Sequence, residues 1–171
     1  MTLMLSACDT PASKRNADSE QCYRHGAMRT CINAQPATAA QIAAVHRMSL
    51  PSPGKGRLLI VRNDWADAYG HALVRLDGQV LIDTIPCSVF AVDVRPGVHR
   101  LQIDPGAFST PLFVEVASGQ LLVWQATRES TDKKRSFVMS PLDPGEARTL
   151  VQECRVLGLL DRTGHTAPPR D

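Results

Sequence analysis

The sequence has 171 residues, enough for about one domain with additional terminal segments. Hydrophobic residues make up 43% of the chain and charged residues 21%, close to globular averages, which argues against disorder throughout. The net charge of +2 is too small to indicate a nucleic-acid partner. No apolar run approaches the roughly 18 residues of a membrane-spanning helix.

The first predicted element is a lipid attachment signal. The chain begins MTLMLSACDT, and Leu5-Ser6-Ala7-Cys8 has the form of a lipobox, the bacterial signal that is cleaved before a lipidated cysteine. Only seven residues precede Cys8 and none is basic, whereas a secretory signal has a basic start and about 7–15 apolar residues. Either the true start lies upstream of Met1 or the match is chance. We expect residues 1–8 to be the remnant of a signal that ends at lipidated Cys8.

Residues 9–50 are rich in small and polar residues, and no sustained apolar periodicity begins before Thr38. A tether between a lipidated cysteine and a folded domain has this composition. The sequence therefore predicts a polar tether over 9–50, with a possible short helix at 38–48. The lipid would hold the chain on a membrane surface while the domain stays in water.

From residue 56 the apolar residues follow the period of short strands. RLLIVRN (57–63) is a brief run of β-forming residues, and RSFVMS (135–140) is a last short strand. Between them, three pairs of alternating segments are each separated by turn residues: Asp77-Gly78, Pro96-Gly97 and Ser118-Gly119. Each pair predicts a hairpin. Strands at this spacing predict an antiparallel β-sandwich, of immunoglobulin or prealbumin-like type, over residues 51–158.

A helix is predicted to close the domain at 143–157. Asp143 is a suitable cap and Pro144 a suitable first residue, and apolar residues then recur at helical spacing up to Leu157. Gly158 would end the helix. We expect this helix to pack on the sandwich and residues 159–171 to form a loose tail.

Five cysteines are present. If Cys8 carries lipid, four remain, an even number that suits two disulfides in an oxidising compartment. Four cysteines allow three connectivities. The most economical one joins Cys22 to Cys31 and Cys87 to Cys154. The alternative is that all four are buried or free thiols.

Other residues suggest binding chemistry. Cys22, His25 and Cys31, with His46 as a fourth ligand, have a spacing that could seat zinc, although it matches no common zinc finger and a secreted chain would sooner oxidise the two cysteines. His99 follows a turn and is expected to be a core or turn histidine. The sequence predicts neither a metal nor a cofactor, and it contains no recognisable nucleophile motif.

Two loop segments are the predicted partner contacts. Trp65 and Tyr69 lie in a loop after the first strand of the sandwich, and exposed loop aromatics are common anchors in recognition. Lys133, Lys134 and Arg135 belong to the densest charge run and would suit an anionic lipid, a glycan or an acidic partner. The alternatives are a Trp65 that caps the sandwich and a charge run that is only a solvated loop.

The chain resembles a family of bacterial lipoproteins and periplasmic proteins whose domain of unknown function is related in shape to PEGA-type β-sandwiches. The resemblance rests on PSPGKGRLLIVR (51–62), VRLDGQVLIDTIPCSVFAVDVRPGVHRLQI (74–103), VEVASGQLLVWQA (114–126) and LDPGEARTLVQECR (142–155). Leu59 and Val61 stand where the family often has tyrosines, and Leu122 and Trp124 stand near its usual aromatics. The resemblance implies a β-sandwich outside the cytoplasm, and it brings no catalytic residues.

These observations predict a lipid-anchored, periplasm-facing protein of the bacterial cell envelope with a non-catalytic binding or scaffolding role. Its expected partners are the membrane, through the lipid, and an envelope protein or glycan, with no nucleic acid. A component of an envelope secretion machine is the first alternative. A metal-binding or hydrolytic protein is the second.

Overall fold

The fold is mainly β, as the sequence predicts. The computed structural model describes residues 20–62, 70–104, 111–131 and 134–164. In these ranges the strands are β1 (Glu20–His25), β2 (Met28–Asn33), β3 (Gly56–Arg62), β4 (Ala72–Leu76), β5 (Gln79–Thr84), β6 (Ser88–Val94), β7 (Gly97–Asp104), β8 (Leu112–Val116), β9 (Leu121–Thr131), β10 (Lys134–Leu142) and β11 (Arg155–Asp161). The helices in the same ranges are α1 (Ala39–His46) and α2 (Pro144–Glu153), and neither is long and apolar enough to span a membrane.

The strands form a five-stranded sheet in the order β10-β9-β3-β6-β11, a four-stranded sheet in the order β5-β4-β7-β8, and the separate hairpin β1-β2. The four-stranded sheet is antiparallel throughout. The five-stranded sheet is mixed, because β3 runs parallel to β9 and β6 runs parallel to β11. The expectation of a wholly antiparallel architecture is therefore wrong for this sheet.

Two apolar layers lie on opposite faces of the five-stranded sheet. On one face, Leu58 and Phe90 share a core with Val74 and Leu101 of the four-stranded sheet. On the other face, side chains of the five-stranded sheet share a second core with α1 and α2 residues such as Val45 and Val151. Strands β3 and β6 are consequently buried along their whole length, which explains why their sequences are nearly continuous apolar runs.

The turn at Asp77-Gly78 forms the predicted hairpin. Leu76 pairs with Gln79, so the loop between β4 and β5 has two residues. Asp77 has φ 51° and Gly78 has φ 80°, the left-handed conformations that a two-residue hairpin turn of this type requires.

The other two predicted hairpins are wrong. Pro96-Gly97 connects β6 to β7 and Ser118-Gly119 connects β8 to β9, and each connection passes from one sheet to the other. Both hydrogen-bonding edges of β6 are already occupied, by β3 and β11, so β7 pairs in the facing sheet instead. The short connections therefore turn corners of the two-layer structure.

Helix α1 lies inside the predicted 38–48 segment. Thr38 and Gln41 form a reciprocal cap, in which each side chain binds the other residue's backbone amide. The cap fixes the residue at which the helix begins.

Helix α2 begins as predicted, with Asp143 accepting a hydrogen bond from the Gly145 amide and Pro144 in the first turn. It ends at Glu153, so the predicted end at 157 is wrong. Residues 155–161 form β11 at the edge of the five-stranded sheet, which also removes 159–161 from the predicted loose tail. Val156 and Leu157 are buried as strand residues, although Leu157 also fits the helical stripe that begins at Ala147.

The predicted tether over 9–50 contains the β1-β2 hairpin, at residues 20–33. The hairpin is not a free arm, since Ile32 belongs to the core between the two sheets and Tyr23 packs against that core. The described residues of 9–50 are therefore folded, through this hairpin and α1, where the sequence predicts mostly polar tether.

Candidate functional site

The register of two parallel strands brings Cys87 and Cys154 together. Arg155, the first residue of β11, pairs with Ser88, the first residue of β6, so the residues that precede them are neighbours. The Arg155 amide donates to the Cys87 carbonyl oxygen at 3.0 Å, and the two Sγ atoms lie 3.1 Å apart. The two residues of this predicted pair are therefore adjacent, and their sulfur atoms are not joined by a disulfide bond.

The two thiols differ in exposure and in acidity. Cys154 is 2% exposed, whereas Cys87 is half-buried. The hydrogen bond from Cys154 lowers the pKa of Cys87 to about 7, because it stabilises the Cys87 thiolate. The same hydrogen bond and burial raise the pKa of Cys154 well above its ordinary value. Since the thiolate is the reactive form, the pair has a nucleophilic member that solvent reaches and a buried member behind it.

The backbone around Cys87 is held in a sparsely populated conformation. Cys87 has φ 49°, a left-handed value that a residue with a Cβ adopts at an energetic cost. The Ser88 hydroxyl donates to the Ile85 carbonyl oxygen at 2.5 Å and closes the turn that presents the thiol.

Two other elements approach the thiol pair. Burial raises the pKa of the Tyr23 hydroxyl on β1, and negative charge on Cys87 raises it further. At the end of α1, His46 Nε2 lies 3.3 Å from the Cys154 carbonyl oxygen. The pair therefore sits where the hairpin, α1, α2 and the five-stranded sheet meet.

The second predicted cysteine pair is a disulfide in the structure. Cys22 and Cys31 face each other across the β1-β2 hairpin with their Cα atoms 4.0 Å apart. Glu20 lies beside the two sulfur atoms, and its carboxylate accepts a hydrogen bond from Arg29 Nη2 at 2.7 Å. Because the sulfur atoms are bonded to each other, they are not the thiolate ligands that the zinc hypothesis requires.

His99 is the core histidine that the sequence predicts, since it is 7% exposed. Its Nδ1 lies 2.8 Å from Asp77 Oδ2 and its Nε2 lies 2.8 Å from the Arg95 carbonyl oxygen. The ring joins the β4-β5 turn to the β6-β7 corner.

The predicted lipidation site, Cys8, lies outside the described ranges. So do three of the five predicted contact residues, Trp65, Tyr69 and Lys133. The structure describes the backbone of Lys134 and Arg135 at the start of β10, where they pair with Thr131 and Ser130.

The strands that flank the two predicted contact segments share one direction. Strand β3 ends at Arg62, and β9 runs parallel beside it and continues to Thr131. We name this end of the five-stranded sheet the thiol end, because β6 and β11 begin there with Ser88 and Arg155, directly after the two cysteines. Both predicted contact segments follow strands that leave the sheet at the thiol end.

Arg62 organises the thiol end, and no local pattern in the sequence indicates this role. Its side chain is 1% exposed, and it donates to the Thr84 carbonyl oxygen at 2.8 Å and to the Gly70 carbonyl oxygen at 2.7 Å. The guanidinium also lies 4.8 Å from the centre of the Phe137 ring. An arginine at the end of an apolar strand usually indicates the solvent boundary, so only the packing of β10 over this position reveals its role.

Comparison of the chain with protein-family models, with curated proteins and with solved structures gives no match in any of the three. The resemblance to a PEGA-type lipoprotein domain therefore stays a prediction.

Proposed function

We propose that the protein is a lipid-anchored binding or scaffolding module of the bacterial cell envelope, with a sandwich of immunoglobulin or prealbumin-like type and without a catalytic role. The observation that supports this proposal most directly is the Cys22–Cys31 disulfide. Disulfides persist in oxidising compartments such as the periplasm and are rare in the reducing cytoplasm.

The position of the disulfide adds to this argument. It closes a hairpin that contributes Ile32 to the central core, so oxidation at Cys22 and Cys31 supports the folded domain as well as the hairpin itself. A short loop closed in this way stabilises a fold by about 2–3 kcal/mol. A chain that folds outside the cytoplasm would benefit from this cross-link.

The thiol end is the proposed contact surface. Trp65 and Tyr69 follow β3 in the sequence, and the basic run of Lys133, Lys134 and Arg135 follows β9 and includes the first two residues of β10. An aromatic segment and a basic segment that follow neighbouring strands in the sequence suit a partner that is both partly apolar and anionic, such as an acidic envelope protein. Near an anionic membrane surface each basic residue adds about 1 kcal/mol.

Labelling of the full chain in bacteria with an alkyne analogue of palmitate tests the anchor. We expect incorporation into the wild-type protein and into Cys87→Ser, and none into Cys8→Ala. Cys8→Ala should also leave the membrane fraction. Absence of label from the wild-type protein, or equal label in Cys8→Ala, would reject the anchor.

A photoactivatable amino acid placed in the full chain tests the contact surface. We expect adducts with an envelope component from positions 65, 69 and 134. Ser52 is the control position, because it is exposed and precedes β3 at the opposite end of the sheet. Equal adducts from all four positions, or adducts from position 52 alone, would contradict the proposed surface.

A further inference from the structure

We infer that Cys87 and Cys154 form a redox-active dithiol that exchanges with small or protein disulfides, with Cys87 as the attacking thiol and Cys154 as the resolving thiol. This is a chemical activity in addition to the proposed binding role, and it does not depend on the lipid anchor. It rests on the placement of the two sulfur atoms, on their unequal exposure and on the conformation of the turn before β6.

The first step takes place at Cys87. Its thiolate attacks one sulfur of a disulfide R–S–S–R, a Cys87–S–S–R bond forms, and the R–S–S–R bond breaks. The leaving RS⁻ takes the electron pair and gains a proton from water. Cys87 suits this step because it is half-buried and its pKa is lowered to about 7, so that a large fraction is thiolate at neutral pH.

The second step takes place at Cys154. Its thiol gives a proton to water, its sulfur attacks Cys87 Sγ, and the second RS⁻ leaves and is protonated. Two thiols have then been oxidised to a Cys87–Cys154 disulfide, and R–S–S–R has been reduced to two RSH. The 3.1 Å between the sulfur atoms is the separation of a near-attack arrangement, so little rearrangement precedes this step.

The division of roles follows from burial. At 2% exposure, Cys154 is closed to a disulfide from solvent, and its raised pKa keeps it protonated until Cys87 has been modified. The product bond would join the start of β6 to the end of α2 at the thiol end. A change in the redox state of the pair therefore acts on two elements beside the proposed contact surface.

The test uses the purified full chain, fully reduced and freed of reductant, with oxidised glutathione as the probe. Peptide mapping by mass spectrometry then reports each cysteine separately. Wild type should finish with a Cys87–Cys154 disulfide and no glutathione retained on either of these two residues. Cys154→Ser should retain one glutathionyl group on Cys87, because the resolving sulfur is missing. Cys87→Ser should leave Cys154 unmodified.

Circular dichroism confirms that each variant is folded before it is compared. The inference is wrong if folded Cys154→Ser takes up no glutathione at Cys87. It is also wrong if Cys154 in folded Cys87→Ser is modified as fast as Cys87 is in Cys154→Ser.

The pH dependence of Cys87 alkylation tests whether Cys154 activates Cys87 or merely lies close to it. Alkylation of Cys87 by iodoacetamide should have a midpoint near pH 7 in Cys154→Ser, whose hydroxyl still donates a hydrogen bond. In Cys154→Ala the donor is absent, so the midpoint should move toward the ordinary cysteine value of about 8.5, with a roughly threefold slower reaction at pH 7. Equal midpoints in the two variants would overturn the inference.

Discussion

The guanidinium of Arg57 lies against the carboxylate of Asp93 across the paired strands β3 and β6. Arg57 Nε is 2.6 Å from Oδ1 and Nη2 is 3.0 Å from Oδ2, so the contact is bidentate. Both side chains are almost fully buried, and Arg57 also donates to the Ser49 carbonyl oxygen at 2.8 Å. The pair therefore fixes β3 against β6 at the end of the sheet opposite the thiol end.

Loss of one member of this pair should be costly. Asp93→Ala leaves the Arg57 charge buried and without its carboxylate, and we expect a loss of about 3–5 kcal/mol in the free energy of unfolding, measured by urea denaturation. Arg75 and Asp104 provide the control, since their Nε–Oδ2 contact of 3.0 Å lies in a more exposed place. Arg75→Ala should cost about 1 kcal/mol or less. Equal losses in the two variants would contradict a buried role for Arg57–Asp93.

A side chain at Gly56 should also destabilise the fold. A Cβ there would collide with the side chain of Val116 and lie 2.9 Å from the Ala117 carbonyl oxygen. We expect Gly56→Ala to lower the free energy of unfolding by about 1–3 kcal/mol, because the facing sheet must move. The control is Gly158→Ala on β11, where a Cβ meets only Leu160 at 3.8 Å. If Gly56→Ala unfolds at the same urea concentration as Gly158→Ala, the two sheets do not approach as described.

The His99 bridge should contribute more than a similar pair at the surface. Both nitrogen atoms of His99 face oxygen atoms, of Asp77 and of Arg95, inside the fold. His99→Ala leaves those buried oxygen atoms without the histidine as a hydrogen-bond partner. We therefore expect the free energy of unfolding to fall by about 1–3 kcal/mol, measured by thermal or urea denaturation. His71 lies 2.8 Å from Asp83 but is half exposed, and His71→Ala should cost less than about 1 kcal/mol. A reversed order of the two losses would show that the bridge is not buried in solution.

Asp161 provides a pH-dependent prediction. The hydrogen bond from Lys55 Nζ at 2.6 Å lowers the pKa of Asp161 well below its ordinary range, and hydrogen bonds from Thr163 lower it further. A depressed folded-state pKa gives stability that is present above the unfolded value of about 4 and is lost as the pH falls through the folded value. NMR titration of the Asp161 carboxyl should show a higher midpoint in Lys55→Met than in the wild type. An unchanged midpoint would show that Lys55 is not the main cause.

The sequence predicts this fold best where short-range chemistry decides. Asp77-Gly78 had to form a hairpin, because both residues accept left-handed φ and the flanking segments alternate. Pro96-Gly97 is an equally good turn, yet it joins different sheets. That outcome depends on which strands occupy the edges of β6, and those strands, β3 and β11, are distant in sequence.

The end of α2 illustrates a second limit. Cys154 and Leu157 continue the helical stripe from Ala147, but Cys154 also precedes a run of apolar residues that suits a strand. This run becomes strand β11 because it can pair with the edge of β6 that β3 does not occupy.

The sequence predicts which two cysteines meet at the candidate site, but it does not predict how their reactivities differ. The cysteine count makes Cys87 with Cys154 part of the most economical of three connectivities, and the parallel register brings the two sulfur atoms within 3.1 Å of each other. Their different acidities come from unequal burial and from one hydrogen bond, which no local pattern encodes. The role of Arg62 is equally hidden from local patterns, because its guanidinium contacts the ring of Phe137, which is distant in sequence.

The most direct test of the proposed location is the oxidation state of Cys22 and Cys31 in the living cell. Cells are quenched with acid, free thiols are alkylated without reduction, and the protein is digested and mapped by mass spectrometry. We expect a linked peptide pair containing Cys22 and Cys31, with neither residue alkylated. Alkylation of both residues in the wild-type protein would contradict folding in an oxidising compartment and, with it, the proposed role at the cell envelope.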